Sequence, residues 1–270
     1  MADAHLKANK LRENVSRFLT RKSKLRVPLI DALSRLTNRK MQAVIFGGAA
    51  RDLMLRGPGA EPRDVDIVVD CTSVQDLRTL FSDVLVRTTR FGGLSLNVRG
   101  WTVDIWPLLE TWALKEQQIG SRDFETLTRT TFLNVEAVIV DLTPVGNRGR
   151  RVFSSGFFEA LQARTLDINL AENPFPELCA IRTLVTAAKL KFQLSEKLAK
   201  YVLQQVGATP LEQFIQIQMN HYGATVLDVD TIYRWSKIIQ CQIGTQSLIR
   251  LPFQEAVQFQ LWQEPRSLAA

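Results

Sequence analysis

Histidine is nearly absent from this chain: His5 and His221 are the only two in 270 residues, one near the N-terminus and one in a polar Asn220-His221-Tyr222 setting. A catalytic triad or metal site built on imidazole is therefore not expected, and both read as surface residues. Cysteine is scarce too. Cys71, Cys179 and Cys241 are far apart and form no Cys-x-x-Cys pair, which argues against a disulfide framework and a thiolate zinc site and fits a reducing cytoplasm. No apolar run approaches the roughly 20 residues that a membrane span needs, and the N-terminus carries no apolar stretch of signal-peptide type. A soluble, cytoplasmic protein is expected, with no membrane partner. Internal repeats and low-complexity tracts are missing as well. What is present is apolar enough to fold: 46% hydrophobic residues over this length supply a substantial core, in one large or two modest domains.

The net charge of +7 is unevenly placed. Residues 1 to 40 hold eleven Lys or Arg against Asp3, Glu13 and Asp31, whereas the rest of the chain is close to neutral. Arg12, Arg17, Arg21, Lys22, Lys24 and Arg26 form a candidate phosphate-binding arm for RNA, on a basic N-terminal helix or arm spanning 1–27. A merely solvated basic helix is the alternative that sequence leaves open, and a mitochondrial leader is disfavoured by Asp3 and Glu13.

The chain is organised around Val44-Ile45-Phe46-Gly47-Gly48-Ala49-Ala50-Arg51-Asp52 and the following Arg63-Asp64-Val65-Asp66-Ile67-Val68-Val69. The pattern predicts strand, glycine turn, helix start, loop and second strand. Adjacent glycines after an apolar strand let the backbone approach a ligand, and the helix that follows offers unpaired N–H groups to a phosphate. Asp64 and Asp66 lie two apart in a strand, so their carboxylates share a face and call for a cation between them. Asp104, a lone acid in the apolar run Trp101 to Trp106, supplies a third carboxylate. Three such groups suit two Mg2+ ions bridging the phosphates of an NTP.

With these residues the chain resembles the head domain of bacterial-type tRNA CCA-adding enzymes and poly(A) polymerases, within the polymerase-β-like nucleotidyltransferases. The resemblance implies that Gly47 and Gly48 contact the triphosphate within a nucleotide-binding signature that includes Arg51 and Asp52. It also implies that Asp64 and Asp66 bind catalytic metal, with Asp104 as the third acid and a candidate acceptor for the attacking hydroxyl's proton. The segment from Arg51 to Asp64 is a few residues longer than the family spacing, and Pro58, Gly59 and Pro62 mark the excess as loop. Thr128 to Asn134 is similar to the family's sugar- and phosphate-contacting segment, with Arg129 and Asn134 matching and Thr130 standing where the family has aspartate. Ala187 to Phe192 fits the end of the family's neck helix, on which Arg182 matches a family arginine. Phe175, Pro176 and Cys179 occupy positions where the family reads the incoming base with acidic and basic side chains. The base reader is missing, so altered base selection is expected.

The implied fold is α+β: a nucleotidyltransferase head with a mixed β-sheet and helices over 28–154, then an all-helical neck and C-terminal domain over 155–270. Within the head, 84–106 predicts a β-meander with glycine turns, and 135–142 a further strand. Beyond it, helices are expected at 195–206, 211–222, 226–241 and 252–262. The helical half leaves room for a protein partner or a second copy. The expected activity is transfer of NMP from an NTP, ATP among the candidates, to an acceptor hydroxyl, an RNA or tRNA 3′ end foremost. Two alternatives remain at this stage: a catalytically silent nucleotide- or RNA-binding regulator, and a toxin or phage-defence enzyme modifying tRNA or protein.

Overall fold

The computed structural model describes residues 2–21, 23–71, 73–116, 123–144 and 149–253. The chain divides into two units: the first runs to residue 158 apart from 132–134, and those three belong with the second, from 159 onward. The break falls four residues beyond the boundary expected from sequence.

In the first unit, α1 (Ala2–Thr20) and α2 (Val27–Asn38) precede β1 (Ala43–Phe46), α3 (Gly48–Arg56), β2 (Asp64–Val69) and α4 (Val74–Leu80). Then come β3 (Leu85–Thr88), β4 (Leu94–Val98), β5 (Trp101–Pro107), α5 (Trp112–Glu116), β6 (Val138–Asp141), β7 (Val152–Ser154) and α6 (Phe157–Ala163), the helix on which the chain leaves this unit. The strands form one seven-stranded sheet in the order β3-β4-β5-β2-β1-β6-β7. Its pairing is mixed, as expected: β2 and β5 run parallel, the other neighbours antiparallel. The meander is present, and its β4–β5 turn is a two-residue hairpin in which Arg99 and Gly100 both take positive φ, 47° and 86°. Such a turn twists in the same sense as the strands it joins.

Residues 1–27 are not a separate arm. Leu11, Val15 and Phe18 of α1 are fully buried, α1 packs on α3, and Asn14 donates to the Leu53 carbonyl at 3.0 Å. The apolar positions that made this helix amphipathic belong to the core of the first unit. Phe18 meets Trp101 edge-on at 5.9 Å, and the Trp101 indole donates to the Leu25 carbonyl at 2.7 Å.

The second unit is mainly helical, with β8 (Thr165–Leu166), α7 (Pro176–Leu190), β9 (Gln193–Ser195), α8 (Glu196–Ala208), α9 (Leu211–Tyr222), α10 (Val229–Gln242) and β10 (Leu248–Ile249). The three helices expected from residue 195 to 241 form; that expected at 252–262 lies almost wholly outside the described residues. The small sheet β10-β9-β8 is an addition to the helical body. Its strands are two or three residues long, too short for an alternating pattern to be read. Ser195 caps α8 by accepting from Leu198 N–H and also donates to Asp167. The buried Gln218 amide binds the Leu227 carbonyl and accepts from the N–H groups of Val226 and Leu227, closing the α9–α10 turn.

Candidate nucleotide and metal site

β1 ends in a turn that only glycine takes readily. Gly47 has φ 66° and ψ −128°, a region closed to side chains by Cβ clashes, and its N–H is held by the Val138 carbonyl at 3.1 Å. A Cβ here would stand 4.0 Å from an Asp66 carboxylate oxygen and 3.9 Å from the Glu136 carbonyl. The turn thus lays bare backbone beside an acid, and α3 starts at once with its first N–H groups lacking helical partners.

The acids are aligned by strand register. Asp66 on β2 pairs with Asp104 on β5, and on its other side with Phe46 at the end of β1. Asp64, two residues earlier on β2, shares their face. Intervening Val65, Ile67, Val103 and Ile105 are buried on the opposite face, so the apolar alternation fixes which way the acids point. Beyond them, Val44, Val68, Ile139 and Trp106 join Leu108, Leu114 and Leu127 in an apolar cluster on the acid face.

The three carboxylates have different surroundings. Asp64 is paired with Arg63, whose Nε donates to its Oδ2 at 2.6 Å. Asp104 stands in register with Ser95 on β4, and its Oδ1 is buried with no hydrogen-bond partner. Burial raises the Asp104 pKa above the ordinary carboxylate value; the Ser95 side chain opposes this, the charge of Asp64 adds to it, and Arg87 and Arg63 offset part. Among the described residues no three His, Cys, Asp or Glu side chains already close on one point, and the Asp64 carboxylate is paired with Arg63. The donor set nevertheless suits a hard divalent cation: all-oxygen ligands in register on one face, one with a buried atom in want of a partner.

Other expected site residues are placed differently. Arg51 and Asp52 are engaged within the chain: Arg51 bonds Asp52 at 2.9 Å and Glu136 at 3.3 Å, and Asp52 also takes Arg56 at 2.6 Å. They form a buried brace under the first turn of α3. Arg129 ends a 3-10 turn (Glu125–Arg129) and is exposed in the first unit. Asn134 belongs to the second unit, where its side chain donates to the Thr165 carbonyl and accepts from the Asp167 N–H, so its amide serves as a structural tie. Arg182 is half-buried on α7, also in the second unit. Cys179 is buried on the same helix, and Phe175 precedes it.

The basic cluster divides. Arg17 is exposed and pairs with Glu13 at 3.5 Å, and Arg21 and Lys24 are exposed; Lys22 lies outside the described residues. Arg26 is buried and unsuited to RNA: it donates to the carbonyls of Pro58 and Ala60 at 2.7 and 3.3 Å and lies over the Phe18 ring at 4.8 Å. Burial lowers its pKa, the main effect, and Arg21 adds to this. Arg26 therefore anchors the extra loop before β2. Arg12 is likewise engaged, donating to the Arg150 carbonyl at 2.6 Å.

Sequence reasoning missed Ser95, Arg63 and Glu136. Glu136 had a usable signal, a lone acid in an apolar run, the same one that marked Asp104. Ser95 is marked only by its register.

Fold and site together are a seven-stranded mixed sheet that carries the three acids, followed by a mainly helical unit. No protein-family model matches the chain, and no curated protein matches it. Solved structures do. A CCA-adding enzyme in an apo form is 17% identical, with a TM-score of 0.58, over 84% of this chain and 54% of that one. The Thermotoga maritima CCA-adding enzyme complexed with tRNA is 18% identical, TM-score 0.56, over 83% and 53%. A tRNA nucleotidyltransferase complexed with a primer tRNA and an incoming ATP analogue is 17% identical, TM-score 0.55, over 78% and 61%. This chain thus spans between about half and three fifths of the length of these proteins, and at such identities the likeness shows the fold. No helix among the described residues is long and apolar enough to cross a membrane.

Proposed function

We propose that this chain is a metal-dependent nucleotidyltransferase that moves a nucleoside monophosphate from an NTP to the 3′ hydroxyl of an RNA, with tRNA the foremost acceptor. The observation that carries the reading is the register of Asp66 with Asp104, with Asp64 on the same face, beside the Gly47 turn. In this reading the triphosphate lies along the first turn of α3, where bare backbone at Gly47 and Gly48 admits it and unpaired N–H groups meet its charge. Asp64, Asp66 and Asp104 hold Mg2+, as one or two ions, which when bound supplies neutralisation of phosphate charge and a more acidic attacking hydroxyl. Arg63 then exchanges its partner Asp64 for phosphate oxygen, to which a guanidinium fork is suited. The fold's task is mainly positioning of the two substrates.

Base choice is altered in this reading. Cys179 is 2% exposed and Pro176 has no donor, so neither can read a base edge, while Phe175 offers only a stacking surface. Of the six basic residues of the candidate arm, Arg17, Arg21 and Lys24 are exposed and available to RNA phosphate.

The test is incubation with Mg2+, total RNA and each labelled NTP in turn, alongside the Asp64→Ala/Asp66→Ala variant. Label should enter RNA with the wild type alone, and the NTP that labels it names the base preference. No incorporation from any of the four, with NTP binding retained, would overturn the transferase reading in favour of a binding protein.

A further inference from the structure

The edge strand β3 is bulged. Leu85 pairs with Leu96 of β4, but Arg87, two residues on, pairs with Ser95, and Thr88 with Leu94. Val86 is the extra residue, and it inverts the alternation that follows. In an unbroken ladder Arg87 would share the face of Leu85 and Leu96. That is the packed face: Leu94 and Leu96 are buried there in register with Ile105 and Val103, and Thr88, back on it, takes a hydrogen bond from Arg78 of α4 at 2.6 Å. The bulge sets Arg87 on the other face, in one row with Ser95, Asp104 and Asp66. Arg87 is exposed there at the open edge of the sheet, and its charge is felt at Asp104. Bulges recur at sheet edges and beside active sites, where they re-aim a side chain.

The strand order sets what Arg87 can meet. Along β3-β4-β5-β2-β1 the acids occupy the middle, the Gly47 turn and α3 follow β1 on one side of them, and Arg87 lies on the other. With the triphosphate on the first turn of α3, pyrophosphate departs on the β1 side. The attacking oxygen stands in line with the leaving one, across the transferred phosphorus. An acceptor strand therefore reaches the acids over β5 and β4, and the chain behind its 3′ hydroxyl runs toward β3. Two strand spacings of about 4.8 Å each separate Arg87 from Asp104, which puts the guanidinium behind the reacting group and within the path of the acceptor. We infer that Arg87 is an acceptor-binding residue, its guanidinium fork contacting the phosphodiester next to the RNA 3′ hydroxyl. The inference rests on the nucleotidyltransferase reading above.

The experiment measures steady-state incorporation by the full chain with Mg2+, the NTP that labels RNA and a tRNA acceptor whose last phosphodiester is either natural or a neutral methylphosphonate, for wild type, Arg87→Ala and Arg87→Lys. Arg87→Ala should raise the KM for natural tRNA about tenfold through loss of a charged hydrogen bond, with the nucleotide KM and the urea midpoint little changed. Arg87→Lys should recover part of this, as a point charge in place of a fork. The methylphosphonate should weaken the wild type by a similar factor and Arg87→Ala no further, since both changes delete the same contact. Should alanine disturb the edge strand, Arg87→Gln, long and uncharged, carries the same comparison. An unchanged acceptor KM in Arg87→Ala, a rise confined to the nucleotide KM, or an equal methylphosphonate effect in both proteins overturns the contact and leaves Arg87 as a charge that guards an open sheet edge. No incorporation by the wild type from any NTP overturns the transferase reading as well.

Discussion

Replacing Arg51 with alanine should cost this protein its stability before it costs any nucleotide affinity. Arg51 is 6% exposed, and its guanidinium is the shared cation of two acids: Asp52, at 2.9 Å, and Glu136, at 3.3 Å, with side chains only 4% and 11% exposed. Removing one partner of a buried ion pair leaves uncompensated charge and costs about 3–5 kcal/mol. Asp52 keeps Arg56 at 2.6 Å, which puts the loss at the lower end, about 3 kcal/mol. Against a total stability of about 5–15 kcal/mol, that is a large fraction. Urea unfolding followed by circular dichroism is the assay: the midpoint should fall with little change in slope. Arg51→Ala/Glu136→Gln should recover part of the loss, because the second change removes one stranded charge. The reasoning is refuted if Arg51→Ala keeps the wild-type midpoint and shows only a raised nucleotide KM, for then the arginine faces the ligand.

Gly93→Ala should destabilise through a single contact, since a Cβ would fall 2.0 and 2.1 Å from Cδ1 and Nε1 of Trp106. The indole must move, at a cost of about 1–3 kcal/mol, and an unchanged thermal midpoint would refute this. At the start of α10, Asp228 accepts from the Thr231 N–H at 2.6 Å, and hydrogen bonds from the Thr231 side chain and backbone hold its pKa below the usual 3.8. A depressed carboxylate pKa means stability present above that ordinary value and lost as the pH falls through the lower folded value. Asp228→Ala should therefore cost about 1 kcal/mol at neutral pH, with the gap to wild type closing in acid; a gap independent of pH would refute the cap.

The parts of the fold with strong periodicity were legible in the sequence: the β1–turn–α3–β2 passage, the meander that carries Asp104, and α8 to α10. Their signals are local, an apolar alternation or a glycine where the chain must turn. That Asp64 and Asp66 share a face followed from their spacing, and that Asp104 lies on the same sheet from the alternation around it; that it faces the same way is set by the β2–β5 register. What was not legible depends on pairing across long separations. Nothing near Arg26 says that its charge would be spent on the carbonyls of Pro58 and Ala60, or near Asn134 that its amide would tie down Thr165 and Asp167. A basic or amide side chain has the same local signature whether it meets solvent, ligand or a distant carbonyl, so motif matching assigned Arg26 to RNA and Asn134 to nucleotide. The N-terminal helix shows the same limit. Its charge pattern was visible, but that its apolar stripe lies on α3 follows only from the folded chain.

The first unit deals with its buried acids in two ways, and the contrast bears on what the site is for. Asp52 has Arg51 and Arg56, Glu136 has Arg51, and Asp141 takes Arg151 through both its guanidinium and its backbone N–H at 2.8 Å. In each case the chain brings its own cation, which is what desolvation of a carboxylate demands. Asp104 is treated otherwise. Its Oδ1 is buried and unpartnered, and burial pushes its pKa up. An unsatisfied buried acceptor costs about 1–3 kcal/mol, and an apolar residue in the strand would avoid the cost. Apolar neighbours Val103 and Ile105 show that the strand accommodates such residues on its other face. Asp104, in register with Asp66 and beside a glycine turn, is thus an acid of this unit that no arginine of the chain pairs with in a salt bridge among the described residues, which is the arrangement that the proposed cation site requires.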